Sequence, residues 1–143
     1  MTRIDFYILS EKARDNRYHL ACRLADKAYQ QGCRVLIHTA SEQEAQHMDR
    51  LLWTFREGSF VPHGLSGKAD PAATPVLIGH GEDIKEEHGV LINLHPEVPA
   101  FFSRFERLIE PIDRDDQVRD AGRRRFRFYR DRGYPLESHD IQQ

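Results

Sequence analysis

Gly32-Cys33-Arg34-Val35-Leu36-Ile37 is the stretch on which the fold is read. Its apolar triplet shows no polar alternation, so it reads as a strand covered on both faces, the habit of parallel sheets. Residues 17–31, just before it, set Leu20, Ala21, Leu24, Ala25 and Ala28 on one helical stripe. Gly32 then supplies a left-handed stop at the helix C-terminus. Upstream, residues 3–9 alternate Ile4, Phe6 and Ile8 with other side chains and predict the first strand. Strand, helix and doubly buried strand in succession make a βαβ unit.

Downstream the alternation continues. Ser41-Glu42-Gln43-Glu44 fits a capping box, and a helix over residues 42–55 would bury Ala45, Met48, Leu51, Leu52 and Phe55. Residues 58–74, rich in Gly and without periodicity, read as one long loop, a place where function often resides. Strands are predicted at 75–79 and 90–94, with a charged loop over 80–87 between them. Pro99 suits the start of a short helix burying Phe101, Phe102 and Phe105. Residues 108–112 read as a fifth strand that Pro111 limits to an edge or an end. A last helix spans 113–132, closed by Gly133 and Pro135, and the polar tail after Ser138 is expected to fray. The sum is a three-layer α/β/α sandwich with a mostly parallel sheet, a single domain over residues 1–143 with 138–143 as a flexible tail.

Composition removes several function classes. The 143 residues are 39% hydrophobic and 31% charged, with a net charge of −2, which excludes a generally basic nucleic-acid coat. Apolar runs are too short for a membrane span or a signal peptide, so a cytoplasmic chain starting near Met1 is expected. Cys22 and Cys33 lack zinc-site spacing and read as reduced structural thiols. Gly64-Leu65-Ser66-Gly67-Lys68 fails as a phosphate loop: its glycines are too close, and Ala69 stands where Ser or Thr would hold magnesium. His80 and His88 flank Glu82, Asp83, Glu86 and Glu87, a setting for a surface cation but without metal-ligand grammar. Ser66 lies in no nucleophile elbow, and His19 beside Cys22 has no orienting third residue. The expectation is therefore no catalytic residue, no metal and no cofactor.

Two features remain. Residues 113–132 hold eight arginines against five aspartates, a local +3 in a chain whose remainder carries −5. Arg119, Arg123 and Arg127 follow one helical ridge, with Phe126, Phe128 and Tyr129 interleaved. A solvated helix face, a nucleic-acid surface and a site for an acidic peptide all fit this pattern. The second feature is Leu51-Leu52-Trp53-Thr54-Phe55 followed by Gly58-Ser59-Phe60-Val61-Pro62-His63. Because Leu52 and Phe55 already supply a core stripe, Trp53 is free to face elsewhere; the segment either packs under the domain or docks a partner.

Together these segments resemble the chi subunits of bacterial DNA polymerase III. The resemblance rests on Phe6-Tyr7, on Gly32-x-Arg34-Val35-Leu36-Ile37, on Leu52-Trp53 with Ser59-Phe60-Val61-Pro62-His63-x-Leu65, and on Arg125-Phe126-Arg127-x-Tyr129-Arg130. It implies a nucleotide-binding-like fold without a phosphate loop and a non-catalytic adaptor of the clamp-loader complex. Such an adaptor binds the acidic C-terminal tail of single-stranded DNA-binding protein on one side. On the other it binds the psi subunit, and in some members a helicase-like protein through an overlapping surface. Carried over residue by residue, the tail site is Ile112, Arg119, Arg123, Phe126 and Arg127. Arg123 takes the terminal carboxylate, Phe126 and Ile112 wall the ring pocket, and Arg119 and Arg127 attract the upstream aspartates. Better-known relatives carry Tyr at the place of Phe126 and Lys at that of Arg127. The partner-docking residues are Trp53, Phe60, Val61 and Pro62. Little direct DNA binding is expected. The alternative is a direct single-stranded nucleic-acid binder using the arginine-rich helix.

Overall fold

Val35-Leu36-Ile37 is indeed covered on both faces in the computed structural model, which describes residues 1–81 and 89–142. Seven strands are described: β1 (Arg3–Leu9), β2 (Val35–Thr39), β3 (His63–Leu65), β4 (Val76–His80), β5 (Val90–Asn93), β6 (Arg107–Ile112) and β7 (Leu136–Ile141). They form one sheet in the order β3-β4-β2-β5-β6-β1-β7, and every pairing is parallel. Helices α1 (Arg17–Gln30), α2 (Glu42–Thr54) and α3 (Asp116–Asp131) and a 3₁₀ turn, Phe102–Arg104, cover it.

The period-2 geometry of strands sorts the core into two layers. Val35, Ile37, Val76, Ile78, Val90 and Ile92 face α1 and α2. Ile4, Phe6, Leu36, Leu77, Leu91, Leu108 and Ile112 face the opposite way, toward Phe101, Phe102 and Phe105 and toward Tyr129 of α3. This is the expected three-layer sandwich. Its helix ends follow local chemistry. Gly32, at φ +82°, closes α1 with Cys33 N–H donating to Ala28 O and Gly32 N–H to Tyr29 O. Ser41 Oγ accepts from Glu44 N–H at 3.1 Å, while Glu44 reaches back to Ala40 N–H.

Two expectations are corrected and one is resolved between its alternatives. The long loop over 58–74 contains β3, whose three residues are too few to show periodicity; Val61, fully buried against α1 and α2, anchors it, and β4 supplies its pairing. Pro111 marks an end and not an edge. β6 is interior, but pairing with β5 stops at Ile109, so Pro111 has only β1 in register beside it. The tail after Ser138 is not frayed: β7 pairs with β1 as far as Ile141. Its polar sequence hides the reason, because its polar side chains are used. His139 stacks on Tyr7 with ring centroids 4.5 Å apart, and its Nε2 lies 2.9 Å from Asp5 Oδ1. The cation-binding reading of the His80–His88 segment falls on residues 82–88, outside the described residues.

One buried group makes stability depend on pH. His38, next to last in β2, lies among Phe101 and His95, and its Nδ1 has no hydrogen-bond partner among the described residues. Burial first, then the neighbouring His95 and His80, pushes its imidazole from 6.5 down to about 4. The unfolded chain therefore binds a proton that the folded one refuses, and stability falls as pH drops from about 6.5 toward 4. Urea unfolding at pH 7 and pH 4.5 should show His38→Phe losing about 2–3 kcal/mol less across that interval than the wild type. Equal losses in both proteins would contradict this placement of His38.

Candidate functional site

The arginine-rich helix is bolted to the sheet by one of its own arginines. Glu110 on β6 has no exposed surface, and Arg125 lies over it with Nε 3.1 Å from both carboxylate oxygens and Nη2 3.0 Å from Oε1. Arg125 Nη1 donates to Pro96 O at 2.6 Å. Tyr129 O–H donates to Glu110 Oε2 at 2.8 Å, and Asn93 Nδ2 adds bonds at 3.1 and 3.3 Å. Burial, then the Glu110 charge, holds the Tyr129 phenol far above its ordinary value, so it remains a donor. The carboxylate is thus fully partnered, as a buried charge must be.

One turn nearer the N-terminus of α3, the same attachment opens a cleft of about 130 Å³ lined by Phe6, Ile8, Ile112, Arg119, Gly122, Arg123 and Phe126. An engineered apolar cavity of roughly 150 Å³ accepts benzene, so this cleft has the scale of one aromatic ring. Phe126 packs edge-on against Phe6 at 5.2 Å and forms one wall. Arg119 is held in place by two carbonyls: Nη2 donates to Leu9 O at 2.6 Å and Nε to Asp113 O at 3.1 Å. Those oxygens lie at the end of β1 and just past the end of β6, whose following helices lie on opposite faces of the sheet, a position where open α/β sheets bind ligands. Carbonyls orient the guanidinium without cancelling its charge. Arg123 stands at the rim, exposed, with Nη1 2.7 Å from Asp120.

Four of the five tail-site residues therefore converge: Ile112, Arg119, Arg123 and Phe126. Arg127 is exposed and does not line the cleft. Phe6, Ile8 and Gly122 line it without having been singled out as site residues. The strand alternation Ile4-Phe6-Ile8 was the available signal for the first two, and a glycine amid the arginine ridge was the signal for the third.

The segment from Trp53 to Pro62 divides between surface and core. Trp53 and Phe60 are 59% and 62% exposed, with ring centroids 5.9 Å apart. Val61 is buried in the core and anchors the loop, so it offers no surface to a partner. Pro62 is half-buried. His63 lies beneath: its ring nitrogens are 2.6 Å from Val61 O and 3.0 Å from Asp49 O, and Trp53 makes a T-shaped contact with its ring at 4.7 Å. Ser59 Oγ and Arg56 also reach the buried Asp26 of α1, fixing the loop ahead of Phe60.

Two other places are less suited to ligands. Asp5, Glu137 and His139 bring their ligand atoms within 4.8 Å of one another. Arg107 Nε sits 2.7 Å and Arg3 Nε 3.5 Å from the Asp5 carboxylate, however. Burial opposes ionisation of Asp5, yet the bonds to His139 and Arg107 and the charge of Arg3 hold its carboxyl below the usual value. Two arginines already neutralise the cluster, so it serves as the clasp on β7. A larger cleft of about 220 Å³ at the ends of β5 and β6 is lined by Arg17, Glu44, Asn93 and Arg125. Its polar groups are turned on one another: Arg17 pairs with Asp113 at 3.1 Å and Glu44 accepts from Tyr18.

The sequence profile of the family described as DNA polymerase III chi subunit, HolC, matches residues 1–137. The Pseudomonas aeruginosa DNA polymerase III subunit chi is 42% identical over 141 residues, 99% of this chain and 98% of that protein. The Haemophilus influenzae subunit chi is 34% identical over 95% of each chain, and the Escherichia coli one 29% identical over 83% of this chain and 82% of its own. Among solved structures, T4 UvsW superposes with a TM-score of 0.65 at 11% identity. Saccharomyces cerevisiae Dbp5 bound to RNA and ADP BeF3 gives 0.61 at 12%. The chain spans about 42% and 41% of those two chains, and the likeness is one of fold. No helix among the described residues is long and apolar enough to cross a membrane.

The clamp under α3 is testable by itself. Arg125→Ala leaves Glu110 buried without its counter-charge and should cost about 3–5 kcal/mol in urea unfolding. Arg124→Ala, at the exposed neighbouring position, should stay within about 0.5 kcal/mol of the wild type. Similar small losses for both would remove the clamp from the account.

Proposed function

The chain belongs to the DNA polymerase III chi subunit family and so is a component of the replication machinery; on that premise we propose that it is a non-catalytic adaptor. It takes the acidic C-terminal tail of single-stranded DNA-binding protein in the cleft beside α3 and the psi subunit on the Trp53–Phe60 surface. The observation that carries this reading is a ring-sized apolar cleft with two arginines at its mouth. That combination suits a chain end bearing an aromatic side chain and a free carboxylate, with aspartates upstream. Arg123, exposed at the rim, takes the terminal carboxylate; Arg119, preset by two carbonyls, adds a fixed positive charge; Arg127, a turn away, meets the upstream acids. The ring supplies most of the affinity, while the exposed charges contribute less and weaken with salt.

The rival reading, direct binding of single-stranded nucleic acid, needs open aromatic faces for bases to stack on. The rings of α3 are poorly suited to that. Phe126 packs on Phe6, Tyr129 is buried, and the Arg132 guanidinium covers Phe128 at 3.5 Å. The two proposed surfaces lie on opposite faces of the sheet, with β3 and β1 five strand positions apart. Both partners therefore fit at once. A helicase-like protein would share the Trp53–Phe60 surface.

Fluorescence anisotropy with a labelled acidic peptide ending Asp-Ile-Pro-Phe tests the cleft. The free-carboxylate peptide should saturate the protein. Amidation, or Arg123→Ala, should weaken binding roughly tenfold or more, the scale of a lost charge-assisted hydrogen bond. No peptide binding, with salt-sensitive binding of a single-stranded oligonucleotide instead, would favour the rival. In a pull-down, Phe60→Ala should lose psi and keep the peptide; retention of psi would refute that assignment.

A further inference from the structure

Gly122 lies in the interior of α3, where glycine is a poorer helix former than any ordinary residue except proline. Its backbone is ordinary helix, so conformational freedom does not explain it. Space does. A Cβ at this position would lie 2.8 Å from Ile112 Cδ1 and 3.6 Å from Ile112 Cγ1. Both residues line the ring-sized cleft together with Phe6, Ile8 and Phe126. Ile112 is 4% exposed, pairs in register with Ile8 of β1, and belongs to the core cluster on this face of the sheet. A methyl group at position 122 would push the flexible δ-methyl of Ile112 toward the void it borders, the cleft itself.

We infer that Gly122, acting through Ile112, sets the size of the cleft and selects a peptide whose last side chain is an aromatic ring over one with a smaller apolar end. The inference rests on the docking reading above and deepens it. Gly122 touches nothing charged in the ligand; it is a specificity-determining residue through the volume it leaves empty. The alternative is that glycine serves only to let α3 approach β6. The two differ in what a smaller ligand experiences. A filled cleft penalises a large ring and spares a small side chain, whereas a displaced helix moves Arg119 and Arg123 and penalises both ligands alike.

The test uses full-length protein and two labelled acidic peptides identical except for a last residue of Phe or Val, each with a free carboxylate. The wild type should prefer the Phe peptide by about tenfold or more, the range a hydrophobic pocket achieves between side chains of different size. Gly122→Ala should weaken the Phe peptide about tenfold and change the Val peptide by less than about threefold. Its thermal midpoint should be no lower than that of the wild type, since the clash falls on the tip of one flexible side chain. Adding Ile112→Val removes the δ-methyl that is displaced, and the double variant should recover the Phe peptide to within about threefold of the wild type. Equal loss on both peptides, no loss on either, or no recovery in the double variant would overturn the inference and leave the docking reading standing. A wild type that binds neither peptide would overturn both.

Discussion

Glu110 is a carboxylate without exposed surface in the middle layer of the molecule, and the arrangement of α3 follows from the need to satisfy it. Left alone there, an ionised group would cost several kcal/mol, roughly the scale of a whole domain's stability. Arg125, Tyr129 and Asn93 meet both of its oxygens, and two of these three residues come from α3. The carboxylate therefore acts as a registration pin. It fixes the rotation and the height of α3 over β6 to within the tolerance of its hydrogen bonds. Gly122 and Phe126, three residues before and one after Arg125, are thereby set opposite Ile112, two residues after Glu110 on the same face of β6. Arg119, a turn further on, reaches the ends of β1 and β6.

Sheet order then separates the two surfaces. The α3 cleft opens beside β1, and the aromatic patch sits at the β3 end, five strands away and roughly 24 Å at the usual strand spacing. Both are anchored in buried cores on opposite faces of the sheet: the cleft by Phe6 and Ile112, the patch by Val61 and the buried ring of His63. That separation is what the proposed adaptor role needs.

Much of this was legible in the residues, and the misses have physical causes. Val35-Leu36-Ile37 gave the parallel sheet because a strand buried on both faces has no room for polar alternation. The ridge Arg119-Arg123 with Phe126 followed from helical spacing, and the exposure of Trp53 from the core stripe already being filled; Phe60 was pointed out only by the family resemblance. β3 escaped notice because three residues carry no period. β7 escaped because Glu137 and His139 look like solvent-facing residues until Asp5, far away in sequence, is beside them. Arg125 could not be told from Arg124 or Arg127 by composition, since its partner Glu110 is brought under it only by the packing of α3 on β6. Val61 looked like part of an exposed motif and proved to be its anchor, because Phe60 and Val61 point in opposite directions from an extended chain.

We place the carboxyl end of an acidic peptide in the cleft between α3 and the ends of β1 and β6. The most direct measurement is an amide ¹H–¹⁵N NMR titration of the full chain with such a peptide ending in Phe. Shifts should concentrate at Ile8, Ile112, Arg119, Gly122, Arg123 and Phe126, with Trp53 and Phe60 unmoved. Shifts centred on Trp53 and Phe60, or on Arg17 and Glu44 in the larger cleft, would contradict it.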